Sequence, residues 1–299
     1  MPSTPRPPQS PLRIACIQME PEIGRKEANL EKSLGLIEQA ATAGASLLVL
    51  PELCNTGYVF DSRAEAFALA EIIPEGESCR AWSALARRLD VNLVAGIAER
   101  DGPSLYNAAV LIGPGGTLGT YRKNHLWGEE KLFFEPGNVG VPVWPLPFGR
   151  VAIAICYDQW FPEVYRLAAL HGADIVCMPT NWVPMPGQPE GQLAMANILA
   201  MAGAHSNGLF VAAADRVGTE RGQPFLGRSL IVNPTGWIAA GPASAGAEEI
   251  LYADVDLADA RRARSLNAFN DIVRDRRADL YGNLLADRMV EPAKEKAPR

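Results

Sequence analysis

Three stretches of this sequence end an apolar run in a side chain able to make or break bonds. SLLVLPEL carries Glu52, LGTYRKNHLW carries Lys123 and VAIAICYDQWFPE carries Cys156. Side chains just past strand ends converge in the crevice where α/β sheets bind their ligands. A carboxylate, an ammonium and a thiol gathered there supply a base, an electrostatic stabiliser and a nucleophile. Cys156 stands at a strand-to-helix junction, and the following Pro162 suits a first helical turn. A helix N-terminus and a nearby lysine are both expected to depress its thiol pKa. From local pattern alone Cys156 reads equally as a nucleophile or as a small buried core residue. Glu52 and Lys123 read equally as catalytic groups or as a structural ion pair.

Histidine is a poor candidate for the base. There are three, His125, His171 and His205. His171 and His205 each close an amphipathic helix and read as structural or surface residues. His125, close to Lys123, reads as a pocket or a loop residue. A glutamate is the better base.

The elements that must position these groups alternate along the chain. Strands are expected over Leu12–Gln18, Ser46–Leu50, Val91–Ala98, Val151–Cys156, Ile175–Pro179, Leu209–Ala214, Ser229–Asn233 and Ile250–Asp256. Tyr106–Ile112 and Thr117–Arg122 form a hairpin about Gly113-Pro114-Gly115-Gly116. Helices are expected over Lys26–Ala43, Cys79–Leu89, Pro162–His171 and Gln192–Ser206, and the charged stretch from Arg261 to Gly282 reads as a closing helix and arm. Strands apolar throughout are covered on both faces, so the class is a layered α/β fold with sheets inside and helices outside.

The 299 residues carry a net charge of −6, with acidic and basic residues mixed, which argues against a nucleic-acid binder. No apolar run is long enough for a membrane helix, and the proline-rich start does not read as a signal peptide; a cytoplasmic protein is expected. The five cysteines are widely spaced and form no CxxC pair, so reduced thiols are expected rather than disulfides or a zinc site. Cys16, Cys54 and Cys177 read as core. Residues 1–11 and 284–299 read as disordered ends around one domain spanning 12–283.

The ordered motifs LLVLPELCNTGY, YRKNHLWGEEKLFFEPGN, VAIAICYDQWFPEVYR, ADIVCMPTNW and GRSLIVNPTGW resemble the nitrilase superfamily of carbon–nitrogen hydrolases. The resemblance spans Leu12 to about Gly282. It implies a four-layer α-β-β-α sandwich that dimerises into an αββα-αββα arrangement, and it makes Glu52, Lys123 and Cys156 catalytic. A second glutamate of that family falls on Glu130, with Glu129 one residue away. Glu52 is then the general base, Cys156 the nucleophile that carries a thioester, and Lys123 with the Tyr157 backbone N–H the oxyanion stabiliser, with no metal or organic cofactor.

Tyr58, Trp127, Tyr157, Trp160, Asn181 and Trp182 flank these motifs, and among them Tyr157, Trp160 and Asn181 are taken as substrate contacts. The loop from Trp182 to Gln192 is expected over the pocket, and Arg216 or Arg228 as partners for a substrate carboxylate. The CYDQWFPE, NWVP and AAADRVGTERG segments look more like the amidase and N-carbamoyl amidase branches than the nitrilase branch. The expected partner is a small amide or carbamoyl substrate, cleaved by a homodimer without nucleic acid or membrane. The alternatives are a nitrilase, or a binding protein on the same fold.

Overall fold

The computed structural model describes residues 11–189 and 191–281. Apart from Pro11, the expected disordered ends lie outside these residues. In chain order the strands are Leu12–Gln18 (β1), Leu47–Val49 (β2), Asn92–Asp101 (β3), Ser104–Gly113 (β4), Gly116–Arg122 (β5), Val143–Leu146 (β6) and Gly149–Ile153 (β7). Then come Ile175–Pro179 (β8), Phe210–Ala214 (β9), Thr219–Glu220 (β10), Gln223–Pro224 (β11), Leu230–Val232 (β12), Ile238–Ala240 (β13) and Glu249–Val255 (β14). The helices used below are Lys26–Thr42 (α1), Arg63–Leu69 (α2), Glu77–Leu89 (α3), Glu130–Phe133 (α4), Pro162–Leu170 (α5) and Met195–Asn207 (α6).

Two six-stranded sheets result, in the orders β14-β1-β2-β3-β4-β5 and β13-β12-β9-β8-β7-β6. The alternation of side chains along β1 explains how they stack. Ile14 and Cys16 pack into the core shared with the second sheet, whereas Ala15 and Ile17 pack with Leu30 and Ile37 of α1 and Trp82 and Leu85 of α3. On the far side α5 and α6 cover the second sheet through Val164, Tyr165, Ala200 and Ala204. The layers are therefore α-β-β-α, the expected class.

Strand direction then decides where the chemistry collects. β1, β2 and β3 pair in parallel, and β5 regains their direction after two antiparallel steps through β4. β7, β8 and β9 are also mutually parallel. The two sets end together. Met19, just after β1, bridges Arg216, just after β9, and the Glu52 N–H reaches the Thr180 carbonyl after β8 at 3.4 Å. Every segment that carries a candidate residue thus leaves its sheet at one common edge.

Several elements differ from expectation: the short strands β6, β10, β11 and β13 and the helical turn α4 were not foreseen, and two differences are instructive. The stretch after Arg261 is not a long helix: Asp259–Arg262 makes one turn, and regular structure returns only at Ala278–Tyr281. Asn267 Oδ1 accepts the N–H groups of Phe269 and Asn270, and Asp271 Oδ1 those of Val273 and Arg274, so local turns outcompete the helix. Helix α2 went unread although Ser62 caps it by accepting the Glu65 N–H, an S-x-x-E signature. Among the described residues no helix is long and apolar enough to cross a membrane.

Candidate active site

Lys123 follows β5 and continues its ladder, donating its backbone N–H to the Asn107 carbonyl of β4 at 2.8 Å. Its side chain is wholly buried between two carboxylates, with Nζ 2.6 Å from Glu52 Oε1 and 2.6 Å from Glu130 Oε1. An isolated buried ammonium would be prohibitively costly, and this one is retained because both neighbours are acidic. They hold its pKa above the ordinary lysine value against the opposing effect of burial. Glu130 also accepts the Tyr58 hydroxyl at 2.7 Å and, through Oε2, the Trp127 N–H at 3.2 Å. Glu129 is solvent-exposed. Of the two adjacent glutamates, Glu130 is therefore the one that meets Lys123.

Glu52 lies three residues beyond β2, in a tight turn where Leu53 takes φ 48°. The turn is pressed against Gly96 of β3: a Cβ at Gly96 would stand 2.4 Å from the Pro51 carbonyl oxygen and 2.5 Å from Glu52 Cα. Glu52 Oε1 accepts both Lys123 Nζ and Asn107 Nδ2, the latter at 2.6 Å, while buried Oε2 has no partner among the described residues. Burial pushes the Glu52 pKa up to about 7; Lys123 opposes this and the charge of Glu130 adds to it. One ammonium shared by two carboxylates does not restore the ordinary value.

Strand β7 ends at Ile153, earlier than expected, and Cys156 opens a turn of 3-10 helix over Cys156–Trp160 with φ 45°. A non-glycine residue in the left-handed region is costly and persists only where its surroundings impose it. Here the brace is Asp158, fully buried. It accepts the Ile155 N–H at 2.9 Å, the Tyr121 hydroxyl at 2.7 Å and the His125 N–H at 3.0 Å, so one carboxylate ties the cysteine turn to the lysine segment. His125 completes this brace with Nδ1 2.8 Å from Asp158 and its ring stacked on Phe161. His171 and His205 each meet a backbone carbonyl through Nδ1, which fits their structural reading.

The expected depression of the Cys156 pKa is not found. Burial is the largest influence and raises it, Glu52 raises it further, and Lys123 and a hydrogen bond from the Asn181 backbone lower it. Desolvation outweighs the one nearby cation, so the thiol rests protonated beside Glu52. Burial raises the Cys16, Cys54 and Cys177 thiols too. Cys156 differs from them in its positive φ, its charged neighbours and its place on a cavity.

That cavity, about 20 Å³, is lined by Cys156, Tyr157, Trp160, Asn181, Trp127, Trp182, Val183 and Met185. It is a narrow slot with room for one small group. Tyr157, Trp160 and Asn181 thus share a wall with the thiol, and Val183 and Met185 bring in the Trp182–Gln192 loop, of which Glu190 lies outside the described residues. Asn181 also donates Nδ2 to the Glu52 backbone carbonyl at 3.0 Å, joining the two sheets beside the slot. Arg216, expected as a partner for a substrate carboxylate, is already engaged by a carboxylate of the protein itself. It is 1% exposed, pairs with Glu220 at 2.8 Å and lies over the Phe225 ring, and Glu220 in turn accepts the Tyr58 and Val59 N–H groups. Arg228 is exposed and lies outside the residues lining the slot.

Sequence reasoning passed over Asn107, Gly96 and Asp158. A lone amide inside the apolar run of β4 and a lone glycine inside β3 were the available signals, one of a buried polar contact and one of a close backbone approach. Asp158 gave a weaker one, an acid two residues after the cysteine.

Two facing sheets under paired helices, with ionisable groups gathered at one shared edge, are the architecture of an α-β-β-α hydrolase. The family model "Carbon-nitrogen hydrolase" matches residues 13–265, and the chain belongs to that family, within the nitrilase superfamily. It is 44% identical over 270 residues to a protein named nitrilase from Pyrococcus abyssi, covering 90% of this chain and 99% of that one. It is 33% identical over 285 residues to a citrullinase from Francisella tularensis subsp. tularensis, covering 92% and 98%. Among solved structures, a variant amidase from Nesterenkonia sp. AN1 superposes with a TM-score of 0.75 at 29% identity, covering 94% and 99%; it carries the acetamide moiety of fluoroacetamide covalently at its active-site cysteine.

Proposed function

We propose that this carbon–nitrogen hydrolase cleaves a small linear amide or N-carbamoyl compound to an acid and ammonia or amine, through a thioester on Cys156. One observation carries the reading. A single ammonium, Lys123, is shared at 2.6 Å by two buried carboxylates, one of which keeps an oxygen without a partner among the described residues, in the neighbourhood of the Cys156 thiol.

The steps follow from those positions. Glu52 takes the Cys156 proton as sulfur attacks the carbonyl carbon. An ammonium has three N–H donors, and two of those on Lys123 are engaged by Glu52 and Glu130. The third, with the Tyr157 backbone N–H, meets the oxyanion, at about 3–4 kcal/mol per donor. Protonated Glu52 passes its proton to the departing nitrogen, and water activated by Glu52 then hydrolyses the thioester. Glu130 and Tyr58 hold Lys123 in place throughout. Tyr157, Trp160 and Asn181 shape the slot around the acyl group, and the cysteine adduct of the related amidase supports sulfur as the point of attachment.

A second reading, hydrolysis of a nitrile, is favoured by the relative that bears that name. Ammonia release from a panel of aliphatic amides, N-carbamoyl amino acids and amines, and nitriles separates the two. Turnover of amides or carbamoyl compounds with none of nitriles is expected, and the reverse pattern overturns the first reading. Wild-type turnover by a folded Cys156→Ala protein overturns both. A homodimer belongs to the same reading, and analytical ultracentrifugation tests it.

A further inference from the structure

We infer that Asn107 is a positioning residue that fixes which oxygen of Glu52 exchanges protons with the thiol, turning Oε2 toward the reaction and holding Oε1 out of it. This rests on the reading of Glu52 as the base. Asn107 sits in β4 with no solvent exposure, and it touches both halves of the charged group. Its backbone carbonyl accepts the Lys123 N–H at 2.8 Å, and its Nδ2 donates to Glu52 Oε1 at 2.6 Å. Lys123 Nζ reaches the same oxygen at 2.6 Å.

The two oxygens of a carboxylate are chemically equal until the protein distinguishes them. Here two donors converge on Oε1, and buried Oε2 receives none among the described residues. The amide orientation is dictated by chemistry: turned the other way, the Asn107 carbonyl oxygen would face a carboxylate oxygen with no proton between them. Two donors from two strands also fix the carboxylate plane, which a lone lysine on a flexible stem would leave free to swivel. In the reaction the Sγ–H bond breaks and an Oε2–H bond forms, while the electron pair left on sulfur makes the bond to carbon. The proton later leaves Oε2 for the departing nitrogen. Oε1 remains bound to Asn107 and Lys123 at every stage.

Asn107→Leu removes the donor at similar size, and Asn107→Asp keeps the shape but faces Glu52 with a second acid. The readout is the pH dependence of Cys156 alkylation by iodoacetamide, followed by mass spectrometry of the full-length protein, with kcat/KM over the same range. Loss of a donor to the ionised carboxylate moves the midpoint upward by about one unit, so labelling at pH 6 falls about tenfold. Asn107→Asp moves it further in the same direction, because two carboxylates then share the site. A merely structural role lowers Tm without moving the midpoint. An unmoved midpoint in whichever variant is folded by circular dichroism overturns the inference. Glu52→Gln, run alongside, isolates the underlying reading: if it keeps the wild-type profile, Glu52 is not the base, whatever the Asn107 variants do.

Discussion

Replacing Gly96 with alanine adds one methyl group, yet it tests whether the position of Glu52 is set from behind by strand β3. Gly96 has an ordinary strand conformation, so the glycine is required by space rather than by backbone angle. The new Cβ would lie 2.4 Å from the Pro51 oxygen, 2.5 Å from Glu52 Cα and 2.5 Å from Leu53 N, where ordinary contact begins near 3.4 Å. All three neighbours are backbone and cannot rotate away, so the turn carrying Glu52 must retreat by about 1 Å. A displacement of that size at a reacting group costs about 100-fold in rate, or about 2.7 kcal/mol. Overpacking of this kind destabilises by about 1–3 kcal/mol, and a fold with about 5–15 kcal/mol in hand stays folded at 25 °C. The assay is kcat/KM for ammonia release beside a thermal melt. Gly35→Ala is the matched control, since nothing lies within 4 Å of a Cβ there and the site is an exposed position inside α1. That substitution should stabilise by about 0.5–1 kcal/mol and leave kcat/KM unchanged. If Gly96→Ala keeps kcat/KM within twofold of wild type, the argument that β3 positions the base is wrong.

Two further outcomes are expected. Glu52 acts as base only when ionised, and burial has raised its pKa to about 7 from an ordinary value near 4.5. The sign is therefore a loss of rate on the acid side, with kcat/KM rising about tenfold per unit below pH 7 and levelling above it; a limb centred near 4.5 would contradict the raised value. Arg216→Ala leaves Glu220 buried without its cation, which costs about 3–5 kcal/mol and lowers Tm by about 10 °C. An unchanged melt together with a raised KM confined to carboxylate-bearing substrates would restore the arginine as a ligand.

The parts of this protein legible in its sequence are those whose chemistry is local. Apolar runs such as Ile175–Pro179 are buried on both faces and announce themselves by composition alone. An ionisable side chain at the end of such a run, Glu52 or Lys123, is conspicuous for the same reason. What no local pattern contains is the distance between segments. Lys123 and Glu52 are separated by 71 residues and Asn181 reaches back 129 residues to Glu52, yet they meet because the parallel strands of both sheets end at a common edge. For that reason Cys156 read equally as core until its neighbours were known, and its thiol was expected to be depressed by a lysine whose charge two carboxylates already share.

The pairing of charges also explains why the site is buried and not merely sheltered. Lys123, Glu52 and Glu130 are each within 4% of complete burial, and with both acids ionised the trio carries one surplus negative charge. A thiolate added to that group would be a second unpaired anion in the interior, which adds to the effect of burial in pushing the Cys156 thiol up and the Glu52 pKa up to about 7. The proton thus has two acceptors of unfavourable charge, sulfur and Oε2. On the proposed mechanism, attack on a carbonyl would remove the conflict, because the negative charge would move from sulfur to an oxyanion within reach of the third N–H of Lys123, which has no partner among the described residues. On that mechanism, burial that would be a pure cost in a structural ion pair would become, at this edge of the two sheets, a bias of the resting protein toward the charge distribution of the reaction.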